Sequence, residues 1–204
     1  MRTTLLAVIV ALAAFGGTAD AATISVSPTN QTVSVGDTVT VSIDVYGLGA
    51  GSAPSIGTFD FDVRFDPALL TFGYATFGNQ LDILGLGDIQ AATPSIPGSV
   101  NLFELSLDSA TDLNNLQLPA FTLATLMFDT LAEGTSPLTV TVNALGDADG
   151  NALDANIQNG SIIVQNGTPT NATPEPSSRA LVGITLIAIA TALRQIRRRS
   201  PARI

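Results

Sequence analysis

The stretch FDFDVRFDPALL, residues 59–70, decides the fold of this chain. Its first seven residues alternate apolar and polar side chains, a period of two that is typical of a strand with one buried face. The apolar positions are Phe59, Phe61, Val63 and Phe65. Asp66-Pro67 then gives a turn signal. The stretch therefore predicts a half-buried strand that leads into a tight corner.

The same alternation recurs along residues 22–165, and turns rich in Gly, Pro, Asn and Asp separate the runs. The apolar positions of these runs are Val39, Val41, Ile43 and Val45; Phe103, Leu105 and Leu107, with Glu104 and Ser106 on the polar side; Leu138, Val140 and Val142; and Ile162 and Val164. About nine short strands at this spacing predict an all-β, antiparallel β-sandwich. One face of each sheet is expected to be apolar and the other polar.

Three segments depart from this alternation. Residues 121–128 are apolar on both faces, which indicates a central strand. Residues 81–86 and 108–118 fit either loops or short helical turns.

Composition excludes most catalytic chemistry. Residues 22–173 carry fifteen acidic residues and one basic residue, Arg64, which gives a net charge of −14. The chain has no His and no Cys, and all of its basic residues are Arg. Imidazole, thiolate and Schiff-base lysine chemistry are therefore excluded. Nucleic acid is not an expected partner either, because neutralising phosphates requires Lys and Arg.

Paired carboxylates are the remaining catalytic option, as in glycosidases. Asp60 and Asp62 share one face of the predicted strand, roughly 7 Å apart at ~3.3 Å per residue. That face is expected to be solvated, which gives no reason for a raised pKa. We therefore expect a protein that is not an enzyme and has no catalytic residues.

Oxygen-bearing side chains gather near residue 150 as candidate metal ligands. They are Asp147, Asp149, Asn151 and Asp154. Oxygen ligands in a turn suit Ca²⁺, but an EF-hand loop would carry Gly at Ala152 and Glu at Gln158. Asp-Gly-Asn is also a common hairpin turn. Calcium binding and a purely structural turn both stay open, and no other cofactor is expected.

The N-terminal residues predict a secretory signal peptide over residues 1–21. Arg2 is followed by an apolar region, residues 5–15, and then by the small-x-small sequence Ala19-Asp20-Ala21. This order of a basic residue, a short apolar stretch and a cleavage site is typical of such signals. Residues 22–165 would then form the exported domain.

The C-terminal residues predict a linker and a membrane anchor. Residues 166–178 are rich in Pro, Thr, Asn and Ser, which predicts a disordered linker. The anchor, residues 179–204, combines a marginal transmembrane helix over residues 180–193 with a basic tail. The basic tail should stay cytoplasmic, by the positive-inside rule. Its arginines are Arg194, Arg197, Arg198 and Arg199.

The triad Pro174-Glu175-Pro176, the apolar helix and the arginine cluster, in that order, resemble the PEP-CTERM sorting signal of Gram-negative bacteria that make exopolysaccharide. The resemblance implies processing by an exosortase, transient anchoring in the inner membrane and delivery to the cell surface or extracellular matrix. Exopolysaccharide is then a candidate partner.

The domain itself resembles the cohesin family. Val35-Gly36-Asp37 leads the first long strand, and residues 59–65 run into Asp66-Pro67-Ala68-Leu69-Leu70, which matches the family's aromatic-Asp-Pro corner. Residues 121–128 and 160–164 correspond to a buried strand and the closing strand. The resemblance implies a jelly-roll-like sandwich related to carbohydrate-binding modules.

These observations predict an exported, non-enzymatic surface or matrix protein, associated with exopolysaccharide or biofilm. The alternative is a carbohydrate- or protein-binding module, calcium-assisted or not, that acts through the loops of the sandwich. The chain lacks Trp, and Tyr46 and Tyr74 are its only tyrosines, so a flat aromatic strip for stacking sugars is not expected.

Overall fold

The computed structural model describes residues 21–167. The signal-peptide prediction, apart from Ala21, lies outside the described residues. So do the sorting motif, the anchor and all of the linker except Asn166-Gly167.

The described residues form eleven strands and one short helix. In chain order they are β1 (Ala22–Ser27), β2 (Asn30–Ser34), β3 (Thr38–Tyr46), β4 (Ile56–Arg64), β5 (Leu70–Phe77), β6 (Asp88–Ile96), β7 (Ser99–Ser106), α1 (Ala110–Leu116), β8 (Ala120–Thr130), β9 (Gly134–Asp147), β10 (Ala155–Gln158) and β11 (Gly160–Gln165). The sequence predicted about nine strands. The count is higher because the first and last extended segments each divide into two strands, which belong to different sheets.

The strands form the two sheets of a β-sandwich. The five-stranded sheet has the order β10-β1-β3-β8-β5, and the six-stranded sheet has the order β2-β11-β9-β4-β7-β6. Most neighbours are antiparallel, as predicted, but β1–β10 and β2–β11 are parallel pairs. The parallel pairs arise because the first and last segments of the domain cross between the sheets side by side. The antiparallel prediction is therefore wrong for these two pairs.

The core lies between the sheets and confirms the alternation on which the fold prediction rests. Phe59, Phe61 and Val63 of β4 are fully buried, and the rings of Phe59 and Phe61 stack with their centroids 4.9 Å apart. Burial of each such side chain contributes about 1.5–3 kcal/mol. β3 contributes its four apolar positions to the same core.

Strand β7 presents the opposite face from the one predicted. Val100 and Leu102 face the core together with Glu104, which has no exposed surface. Leu105 and Leu107 are exposed instead, and Phe103 is half-buried. The prediction failed because both faces of this strand carry large apolar residues, so their alternation does not identify the inner face.

The three less regular segments each have a clear outcome. β8 lies between β3 and β5, which confirms an interior strand, and residues 81–86 form a loop. Residues 110–116 form α1, whose N-cap Ser109 accepts a hydrogen bond from the Asp112 backbone N–H. Within residues 21–167, no helix is long and apolar enough to cross a membrane.

Candidate functional site

A polar cluster lies at the centre of the outer face of the six-stranded sheet, on three adjacent strands. Asn101 of β7 donates from Nδ2 to Oδ1 of Asp60 at 2.6 Å and to Oδ1 of Asp62 at 3.2 Å. From β9, Asn143 donates from Nδ2 to the same Asp60 oxygen at 3.0 Å. The amides hold both β4 carboxylates in fixed positions, with further lone pairs available to a ligand.

Exposed apolar side chains flank this cluster on the same face. Ile89 of β6 lies directly opposite Leu105 of β7, and Ala91 lies opposite Phe103. Ile89 is 51% exposed and Leu105 is 36% exposed. Three further leucines near the ends of these strands are exposed: Leu84, Leu86 and Leu107. We call the surface formed by Asp60, Asp62, Asn101, Ile89, Phe103 and Leu105 the β4–β7–β6 face; Asn143 of β9 borders it.

Carboxylates anchor the loop that carries Leu84 and Leu86. Asp108 Oδ2 accepts from the backbone N–H of Ile83 at 2.7 Å, and Asp82 Oδ1 accepts from that of Gly87 at 2.8 Å. These contacts hold residues 82–87 beside the end of β7. The two exposed leucines are therefore carried by an ordered loop.

Gln117 joins this loop to the start of β4. Its Oε1 accepts from the Ile56 N–H at 2.6 Å, and its Nε2 donates to the carbonyls of Ile56 and Gln80, both at 2.9 Å. The buried amide thus pairs with β4 as another strand would. It satisfies backbone groups that would otherwise be buried without partners.

A buried carboxyl lies beneath the β4–β7–β6 face. Glu104 Oε1 accepts from Gln90 Nε2 at 3.2 Å, and Glu104 Oε2 is buried without a hydrogen-bond partner. Burial raises the pKa of Glu104 to about 8; the neighbouring carboxyls of Asp88 and Asp82 also raise it, and Gln90 lowers it. Glu104 is therefore predominantly protonated at neutral pH, because its charged form is poorly solvated there.

The predicted calcium loop has a defined internal structure. Oδ1 of Asp147 accepts from the backbone N–H of Asn151 at 2.7 Å and from that of Asp149 at 3.0 Å. Partial burial raises the pKa of Asp147, but hydrogen bonds from the Asn151 side chain and from loop N–H groups outweigh it and lower the pKa. The carboxylate therefore already has donors within its own loop.

Two of the four candidate ligands are in direct contact, since Asn151 Nδ2 donates to Oδ2 of Asp147 at 3.1 Å. Asp149 donates its backbone N–H to Asp147. Asp154 lines the same cleft as Asp147, and its carbonyl accepts from the Ala22 N–H. Within residues 21–167, no three acidic side chains are grouped so as to hold a metal ion. Calcium binding at these residues stays a prediction.

Several residues of the candidate site were not found from the sequence. Alternation predicts Glu104 on the solvated face, and no sequence pattern pairs Asn101 and Asn143 with Asp60. The register of β4 with β7 and β9 creates this cluster. Pairing between distant strands is not encoded in any local pattern, so the sequence alone does not group these side chains.

No protein-family model matches the sequence, and no curated protein matches it either. Solved structures do resemble the fold, and cohesins are among them. A cohesin from Clostridium acetobutylicum is 22% identical, with a TM-score of 0.56, over 73% of this chain and 95% of that one. The sixth cohesin of scaffoldin B from Acetivibrio cellulolyticus, solved with a dockerin, is 17% identical, with a TM-score of 0.58, over 71% of this chain and 99% of that one.

A non-cellulosomal cohesin from the archaeon Archaeoglobus fulgidus is similar as well. It is 14% identical, with a TM-score of 0.54, over 71% of this chain and 91% of that one. At these identities the similarity shows the fold. Residues 21–167 therefore form a cohesin-like β-sandwich, as the aromatic-Asp-Pro corner predicted.

Proposed function

We propose that this chain is a non-enzymatic protein-binding module that docks its partner on the β4–β7–β6 face. The observation that carries the proposal is the exposed Ile89–Leu105 pair beside the ordered Asp60–Asn101–Asp62 cluster. Contiguous exposed apolar surface rimmed by polar groups marks interaction sites. The alternative function inferred from the sequence is thus favoured, although the site lies on a sheet face rather than on the loops.

The charge of the domain defines the chemistry of the partner. Residues 22–173 have a net charge of −14, and two carboxylates lie at the centre of the proposed face. A complementary surface would carry leucine-like side chains beside Lys, Arg or amide donors. Cohesins of similar fold were solved in complex with dockerins, which supports a protein partner of that kind.

Binding to a panel of purified dockerins and to candidate partners from the producing cells tests this proposal. Leu105→Asp should weaken binding at least tenfold, because it places an unpaired charge in an apolar contact. The control is Leu131→Asp, which alters a leucine in the turn between β8 and β9 that is 50% exposed, compared with 36% for Leu105. Biolayer interferometry measures both variants after thermal melting has shown that they are folded. Equal binding by both variants would place the site elsewhere.

We further propose that the chain is exported and sorted as its terminal motifs predict, with exopolysaccharide or biofilm as its surroundings. The support is the order of Pro174-Glu175-Pro176, the apolar run and the arginines. Fractionation and intact mass from host cells, with and without the exosortase, test this step. Loss of the C-terminal segment in the presence of the enzyme is expected; an unprocessed chain in both strains contradicts sorting and leaves the docking proposal untouched.

A further inference from the structure

A second polar cluster surrounds Asp44 on the outer face of the five-stranded sheet. Asp44 of β3 lies opposite Ser25 of β1 and Thr122 of β8. Its side chain is 9% exposed, although it points away from the core. The neighbouring side chains on the same face therefore cover most of the carboxylate.

Three hydroxyl groups donate to this carboxylate. Thr122 Oγ1 donates to Oδ1 at 2.6 Å, Ser42 Oγ donates to Oδ2 at 3.1 Å, and Tyr46 Oη donates to Oδ2 at 3.4 Å. A hydroxyl has a single hydrogen. Thr122 and Tyr46 direct their hydrogens at Asp44. The single hydrogen of Ser42 is shared between Asp44 and the Ser27 carbonyl, which lies 3.3 Å from Ser42 Oγ. The hydroxyl oxygens then present lone pairs to an incoming ligand. The cluster is therefore a set of acceptors that carries a negative charge.

The cluster borders a small cleft. The cleft has a volume of about 240 Å³ and is lined by Asp44, Tyr46, Ala120, Phe121 and Thr122. Pockets for whole small molecules are usually about 300–1,000 Å³. This cleft is thus sized for one functional group rather than for a sugar chain. Tyr46, 45% exposed, places an aromatic ring at its edge.

The protein itself provides no neighbouring cation for Asp44 in the part of the chain that the structure describes. The single basic residue among residues 21–167 is Arg64, which belongs to β4 of the six-stranded sheet. The negative charge of a largely covered carboxylate is less well balanced by neutral hydroxyl groups than by a cation in an ion pair. A cationic ligand would supply the missing charge.

We propose that this cleft binds a single organic cation, a primary ammonium or a guanidinium group. Such a group offers donors and no acceptors, which matches the acceptors around Asp44. It can form a charge-assisted hydrogen bond with the carboxylate and a cation–π contact with the ring of Tyr46. The cation comes either from a Lys or Arg side chain of a protein or from a free polyamine. The site is separate from the β4–β7–β6 face, which lies on the other sheet.

Titration of the isotope-labelled full chain, in a non-ionic detergent, with propylammonium tests the site by NMR. Propanol is the neutral probe of similar shape, and potassium chloride matches the ionic strength. Propylammonium should shift the amide signals of Asp44, Tyr46 and residues 120–122 saturably, whereas propanol and the salt should not. Absence of a saturable shift, or an equal response to potassium chloride, overturns the proposal.

Variants separate a specific site from general attraction to an acidic domain. Tyr46→Leu should weaken propylammonium binding at least fivefold and leave the hydroxyl contacts of Ser42 and Thr122 with Asp44 in place. Tyr74→Leu is the matched control, because it removes the other exposed tyrosine, which lies on β5 of the same sheet. Equal binding by both variants overturns the proposal. Asp44→Asn should also abolish propylammonium binding. Its result is interpreted only if the variant still unfolds cooperatively in a thermal melt.

Two further probes identify the source of the cation. A lysine-containing peptide that binds more tightly than spermidine supports a protein side chain. The reverse order supports a polyamine. Failure of both probes to compete with propylammonium contradicts a site built for either source.

Discussion

Glu104 illustrates how one residue's position sets its chemistry. On the solvated face, where alternation placed it, its carboxyl would be ionised and have no further role. On the inner face it has no exposed surface, lies beside the carboxyl of Asp88 and has an oxygen without a hydrogen-bond partner. The Glu104 carboxyl therefore keeps its proton in the folded protein, since the charged form would lack solvation.

The domain should therefore lose stability as the pH rises from about 4.5 to about 8. Across this range the folded chain holds a proton at Glu104 that the unfolded chain releases, so the free energy of unfolding falls with pH and levels off above the folded pKa. Glu104→Gln keeps the shape of the protonated side chain and has no group that titrates in this range. It should flatten the profile and stabilise the domain above pH ~8 by on the order of 3 kcal/mol.

Urea denaturation across this pH range measures the effect. Asp149→Asn is the control, because it removes a carboxyl from an exposed loop position, and it should leave the slope unchanged. A profile that stays equally steep after Glu104→Gln would show that Glu104 is not the group whose titration couples to folding.

At the scale of elements, the β9–β10 turn is organised by a side chain rather than by its strands. Asp147, at the end of β9, receives the N–H groups of Asp149 and Asn151. Gln117 plays a similar part at the start of β4, where its amide pairs with both backbone groups of Ile56. In each case one side chain completes hydrogen bonds that no neighbouring strand provides.

Asp147→Ala should lower the free energy of unfolding by about 1–2 kcal/mol at neutral pH, because two loop N–H groups lose their acceptor. The folded pKa of Asp147 is lowered from its usual value of 3.8. The contribution of the ionised carboxylate to the free energy of unfolding is therefore present above pH 3.8 and is lost as the pH falls through the folded pKa. Chemical denaturation at neutral and at acidic pH measures this difference. Asp149→Ala should change stability by less than about 0.5 kcal/mol.

The same two variants distinguish a structural turn from a calcium site. If the turn is structural, millimolar Ca²⁺ leaves the melting temperature of the wild type unchanged, and Asp149→Ala remains near neutral with or without the ion. A rise in melting temperature with Ca²⁺ that both variants abolish would instead support the calcium prediction for Asp147, Asp149, Asn151 and Asp154.

At the scale of the whole domain, the two sheets have different outer faces. The six-stranded sheet exposes an apolar surface beside Asp60 and Asp62, whereas the five-stranded sheet carries hydroxyl groups around Asp44. The domain also has a large negative charge and one arginine among its described residues. Both faces thus favour partners that bring positive charge, and this charge would also speed their encounter with the domain.

The sequence by itself determined the class of fold. Alternation in β3, β4 and β9 predicts the buried side chains, because burial of one face imposes a period of two on any strand. The resemblance of the Asp66-Pro67 corner to cohesins implies the type of sandwich. Composition likewise determined which catalytic groups are absent.

Tertiary structure decided the sites. The inner face of β7, the parallel β1–β10 and β2–β11 pairs and the grouping of Asn101 with Asp60 depend on which distant strands become neighbours. Local periodicity reports that a strand buries one face, but when both faces carry apolar residues it cannot say which one. Which face is buried depends on the packing of the whole sandwich, because the side chains of all the strands must fill the core together.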